Sequence, residues 1–230
     1  MSNFNEAVQK VLRAEGGYVN HPADRGGPTN HGITQKVYNE WMAKKTGKNP
    51  YISTIDEIKN MPVGNAIQIY KENYWDAIQG DKIKKFSIAA MIFDQAVNAG
   101  VPAAVRRAQR VVQLPETGKM DDQTLRVLNS TSEKTFIENY YNATVAFYNA
   151  IVEKNPSQEV FIKGWLKRAR ELRDYGLSWF GIPNSTAVGI GIGALVIFGI
   201  GGFFLYKYMK AKKGLSAMPS KVSNLVPEAA

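Results

Sequence analysis

Two carboxyl groups near the N-terminus, Glu15 and Asp24, stand nine residues apart on segments of opposite character. Glu15 follows Leu12 by three residues and Val11 by four. Helical spacing therefore sets it on the apolar stripe of Phe4, Val8, Val11 and Leu12, in the last turn before Gly16-Gly17. The negative end of a helix dipole and partial loss of solvent both disfavour a charge there, so the neutral acid is expected. The competing arrangement is an outward-facing Glu15, or one salt-bridged to Arg13 or Arg25. Asp24 lies in a Gly-, Pro- and Asn-rich loop where water and backbone donors keep a carboxylate ionised. One protonated and one ionised carboxyl are the general pattern for hydrolysing a glycosidic bond: the first protonates the leaving oxygen and the second directs water. Gly26-Gly27-Pro28 lets the chain turn sharply beside Thr29, whose hydroxyl is able to hold a water opposite the acid. A loop aspartate is also a common turn former, so the combination carries the reading and neither residue does alone.

His21 and His31 are the only histidines, and the chain has no cysteine. With Asp24 the two histidines suggest a metal-dependent amidase or peptidase, but no HExxH or comparable ligand spacing accompanies them. No metal and no other cofactor is therefore expected. His31 reads as a hydrogen-bond partner shaping the loop, and His21 as an ordinary loop residue. The formal charge of +9 favours an anionic partner such as nucleic acid, anionic lipid or an acidic wall polymer. The basic residues are spread along the chain and are not gathered beside stacking aromatics, so nucleic acid is not expected.

The elements that position these groups are mainly helices. With 44% hydrophobic residues in 230, the chain has material for a real core, and strand-like alternation is nearly confined to residues 17 to 35. Ser2 is placed to cap the first helix, which Gly16-Gly17 ends. The following turn-rich stretch suits a small hairpin or ordered loop. Helical spacing then returns over 63–79, with Ile67, Tyr70, Tyr74, Trp75 and Ile78 on one face, and over the nearly all-apolar 88–99, which is expected at the centre. Gly100 stops that helix and Pro102 opens the next. A second helical group follows over 103–113, 121–128, 133–154 and 159–175.

Several of these segments together resemble the glycoside hydrolase family 108 muramidases of phage endolysins and bacterial envelopes. The resemblance is carried by Glu15-Gly16-Gly17-Tyr18, by Asp24 through Thr34, by Ile69 through Trp75, by Phe93 through Gly100 and by Lys163 through Arg168. It implies a lysozyme-like fold, peptidoglycan as substrate and Glu15 as proton donor. By further similarity to phage-type lysozymes it implies Asp24 and Thr29 as the water-positioning pair of an inverting hydrolysis, with Thr34 as the alternative to Thr29. Tyr18, His31, Tyr70, Trp75 and Asn98 are then candidate sugar-binding residues, although aromatics at helical spacing more often belong to a core. The implied organisation is a lysozyme-like catalytic region at 1–95 and a helical peptidoglycan-binding-like region at 96–180, packed separately or as one body. Two other outcomes fit the same fold: a lytic transglycosylase, and a non-catalytic wall-binding protein.

Beyond a short hinge at 181–186, residues 187–206 contain six glycines and not one charge. About twenty such residues cross a bilayer as a helix, whereas each glycine weakens a water-exposed helix by about 1 kcal/mol relative to alanine. A single C-terminal transmembrane helix is expected, followed by a basic and then disordered tail at 207–230. Gly189 and Gly193 form one GxxxG able to pair helices in the membrane. Lys207, Lys210, Lys212 and Lys213 lie closer to the span than Lys167, Arg168, Arg170 and Arg173 do. That asymmetry leans toward a cytoplasmic tail and a catalytic part facing the periplasm, at a host inner membrane or a virion membrane.

Overall fold

The computed structural model describes residues 3–20 and 27–178. His21, Asp24 and the whole stretch carrying the expected hinge, span at 187–206 and tail lie outside the described residues. Among the described residues no helix is long and apolar enough to cross a membrane.

Helix α1, Asn3–Glu15, buries Phe4, Val8 and Val11 of the expected stripe together with Ala7, leaves Leu12 partly buried, and ends at Gly16 with φ 73°. A left-handed residue at that position suits glycine and lets the chain leave the helix directly after Glu15. Val19 then exchanges two backbone hydrogen bonds with Thr29, at 2.8 and 2.9 Å. Strand β1, Thr29–Asn30, pairs antiparallel with β2, Ile33–Thr34, through the two-residue turn His31-Gly32. Both turn residues have positive φ, 49° and 75°. That is the pattern of a turn whose twist matches its strands. Asn30 pins the hairpin from behind by donating its amide to the carbonyls of Ile58 and Lys59.

Helix α2, Gln35–Thr46, starts where the Thr34 hydroxyl accepts the Val37 N–H. Helix α3, Ile55–Lys59, opens on a capping box between Thr54 and Glu57. The helix expected over 63–79 is shorter and changes character. Helix α4, Val63–Tyr70, passes into a π-helical turn over Lys71–Trp75, where the Asp76 N–H reaches back to the Lys71 carbonyl. The extra residue in that turn rotates the face on which Trp75 emerges, and the ring packs against Phe4 and Phe93.

Helix α5, Phe86–Ala99, is buried along almost its whole length. It packs against α1 and against three helices of the second half, α6 (Val101–Val111), α8 (Glu133–Lys154) and α9 (Glu159–Ser178). Helix α7, Asp122–Ser130, is capped by the Asp121 carboxylate, which accepts the Thr124 N–H. One continuous set of buried side chains runs from Phe4 of α1 to Leu172 of α9. A smaller cluster around Tyr148, Ile151 and Trp165 seals α8 to α9. The two halves thus share a core centred on α5.

Candidate functional site

Glu15 is the last residue of α1 and is buried, with 8% of its surface exposed. A carboxyl in that position needs a partner, and its partner comes from the far end of the described chain. Nη1 of Arg168, on α9, donates to Glu15 Oε1 at 2.7 Å. The same guanidinium donates from Nη2 to Asp94 Oδ1 at 3.0 Å and from Nε to the same oxygen at 3.2 Å. Burial of the guanidinium works against its charge, but the attraction of Asp94 and then Glu15 prevails, and Arg168 is held protonated above the ordinary arginine range. Asp94 is oriented in turn by Asn98, whose amide donates to the Asp94 carbonyl at 2.9 Å and to Oδ2 at 3.2 Å. The network continues through Gln95, whose Oε1 accepts from Arg107 Nη2 at 2.9 Å and from the Tyr148 hydroxyl at 3.3 Å. Within this cluster, removing Arg168 would leave the buried carboxylates of Glu15 and Asp94 without their cation.

The hairpin closes the other side of Glu15. A Cβ at Gly32 would lie 2.8 and 2.9 Å from Glu15 Cγ and Cβ, and 2.4 Å from the Tyr70 hydroxyl oxygen, so only glycine allows this approach. That hydroxyl donates to the His31 carbonyl at 2.9 Å. Burial, and next the negative charge of Glu15, push the Tyr70 phenol well above its usual range, so it acts as a fixed donor. Lys10, about one turn and a half before Glu15 on α1, stacks its ammonium over the Tyr175 ring at 3.8 Å. Burial lowers its pKa to about 8 despite the opposing pull of Asp94 and Glu171.

The residues expected to act on a sugar fall into distinct places. Thr29 is half-buried on β1, and its hydroxyl donates to the Gly27 carbonyl at 3.2 Å. Thr34 is buried, and its hydroxyl is occupied as the cap of α2. Tyr18 is partly buried against the main core, and His31 is half-buried at the hairpin tip. The structure corrects the placement of three candidates. Trp75 is fully enclosed, with its indole N–H donating to Asp81 at 2.8 Å and its ring over Gly80, so no face is free to stack on a sugar. Tyr70 is equally enclosed, and Asn98 turns its amide inward to Asp94. Tyr70 and Trp75 both pack on Phe93 of α5, whereas Asn98 lies on α5 itself and turns to Asp94 one turn earlier.

Arg168 and Asp94 were not singled out by the sequence reading. The local signal was present, since Asp94, Gln95 and Asn98 are polar groups in a mainly apolar helix, and such groups require partners when buried. Among the described residues no group of three or more His, Asp or Glu side chains is placed to hold a metal ion. A pocket of about 470 Å³ lined by Trp41, Lys44, Lys45, Gln68, Lys71 and Glu72 includes none of the residues around Glu15.

A mainly helical body with one small hairpin, and an enclosed glutamate where the first helix meets that hairpin, has the form of a lysozyme-like protein. Comparison with known proteins gives the class its particulars. Residues 8–100 match the family described as Glycosyl hydrolase 108, and residues 103–170 match the one described as Predicted Peptidoglycan domain. The structure of SagA from Brucella abortus is similar with a TM-score of 0.64 and 28% sequence identity, covering 81% of this chain and 98% of that one. No curated protein matches the chain. The matches support a glycoside hydrolase with peptidoglycan as its partner, that is, a peptidoglycan hydrolase.

Proposed function

We propose that the chain is an N-acetylmuramidase that cleaves the MurNAc–GlcNAc linkage of peptidoglycan glycan strands. The observation that carries this reading is the setting of Glu15. Its carboxyl is buried at the end of α1 against the hairpin, held at Oε1 and free of hydrogen bonds from the described residues at Oε2. A carboxyl so fixed is suited to donate a proton to the leaving oxygen of the glycosidic bond. Asp24 directs the attacking water with help from the Thr29 hydroxyl, and the product inverts at the anomeric carbon. Thr29 is preferred to Thr34 because the Thr34 hydroxyl already caps α2.

Purified full-length chain is expected to clear cell-wall suspensions and to release muropeptides with reducing ends, as read by mass spectrometry. Glu15→Gln is expected to abolish release, with an unchanged circular dichroism spectrum. Retained activity in that variant would remove the acid assignment. Anhydro-sugar products from wild type would make the enzyme a lytic transglycosylase, and sedimentation with peptidoglycan without cleavage would make it a wall-binding protein. We also propose that residues 187–206 tether this activity to a bilayer, with the catalytic part on the periplasmic side, in phage lysis or wall penetration; the uncharged run itself is the support. Resistance of the expressed chain to carbonate extraction from membranes, lost on deletion of 187–206, is the expected result.

A further inference from the structure

We propose that Arg168 is a positioning residue for the acid, so that the region matching a peptidoglycan domain completes the active site as well as binding wall. The inference rests on the reading of Glu15 as proton donor and concerns how that donor is oriented. Glu15 and Asp94 lie within residues 8–100, whereas Arg168 lies within 103–170. The contact joining them spans 153 positions of chain.

A carboxylic acid that is to donate a proton must present one defined oxygen to the substrate. Arg168 Nη1 occupies Oε1 at 2.7 Å. Because arginine carries no acceptor and stays protonated, Oε1 remains the accepting oxygen in both states of the acid. The proton is thereby directed to Oε2, which receives no hydrogen bond from the described residues and is not among the fully enclosed unpartnered polar atoms. In the reaction the proton leaves Oε2 for the glycosidic oxygen, and the resulting carboxylate keeps its bond to Arg168. Asp94 gives the guanidinium a second anchor through Nε and Nη2, which stops it from turning as the acid changes charge. Facing this pair are Lys10 on α1, Tyr70 with the His31 loop on the hairpin side and Asp94 on α5, and Lys10 in turn faces Arg13 and Glu171.

A salt bridge that served only stability would be satisfied by any cation that fits. A positioning role requires the planar fork, since a lysine ammonium cannot hold Glu15 and Asp94 in the same fixed geometry. In the full-length chain Arg168→Lys is therefore expected to fold as wild type by circular dichroism. Its kcat for glycan release falls about a hundredfold, the scale of an ångström-level misplacement, while KM stays within about twofold. The double variant Arg168→Met/Asp94→Asn removes the guanidinium without leaving Asp94 charged and unpaired. In it kcat is expected to fall at least as far as in Arg168→Lys, with KM again within about twofold, because nothing then holds Oε1. Wild-type kcat in Arg168→Lys or in the double variant overturns the proposal while leaving the acid assignment intact. Retained activity in Glu15→Gln, measured alongside, overturns the acid assignment itself and this proposal with it.

Discussion

Gly32 shows how closely the hairpin is fitted to Glu15. Two costs would meet in Gly32→Ala: the positive φ of 75°, which an L side chain rarely adopts, and a methyl group within 2.9 Å of two carbons of Glu15. Gly47 separates them. It has nearly the same φ, 72°, but nothing lies within 4 Å of a Cβ built there. Gly47→Ala is expected to cost roughly 1 kcal/mol in urea unfolding with full activity, which is the backbone cost alone. Gly32→Ala is expected to cost roughly 2–4 kcal/mol, adding overpacking to strain, and to lower kcat because the acid is pushed from its place. Equal effects of the two substitutions on kcat would mean that the hairpin tip does not position Glu15.

At the scale of elements, the helices that end on local signals were legible. The apolar stripe of α1 and its stop at Gly16, the stop of α5 at Gly100 and the bounds of α8 at Glu133–Lys154 follow from nearby residues. The π turn at Lys71–Trp75 was not, because helical spacing alone does not reveal that Trp75 must rotate to pack on Phe93. The site divides the same way. The inward placement of Glu15 could be read from the helix face and its end, but its ion pair with Arg168 depends on tertiary approach across 153 positions, which periodicity does not encode. The two threonines of the hairpin illustrate how an element decides a residue's role. Thr34 caps α2, so Thr34→Ala is expected to lower stability by about 1 kcal/mol and to leave kcat near wild type. Thr29→Ala, which removes a hydroxyl bonded only weakly to Gly27, is expected to leave stability almost unchanged and to lower kcat. Measuring both variants by urea unfolding and by muropeptide release tests the assignment, and the reverse pattern would exchange the two roles.

At the scale of the whole molecule, the boundary between the two matched regions, between residues 100 and 103, falls at the join of α5 to α6 and not at a gap in packing. Helix α5 is covered from the first half by α1 and from the second by α6, α8 and α9, and the main core includes side chains from both sides. If the halves were separable modules, removing a contact from one would lower the stability of that half alone. A shared core instead makes the described body one cooperative unit. Leu172 of α9 is the test position, being 2% exposed and part of the core that also contains Phe4 and Val8 of α1. Leu172→Ala is expected to cost roughly 2–5 kcal/mol, the range for a buried leucine cavity. The effect should appear as one transition shifted to lower urea, with far-ultraviolet circular dichroism and tryptophan fluorescence coincident. Because Trp41 and Trp75 belong to the first half and Trp165 to the second, two separated transitions would show that the halves unfold independently. A single transition would mean that any loss of packing under α9 is also felt at Glu15, since Arg168 extends from the same helix as Leu172.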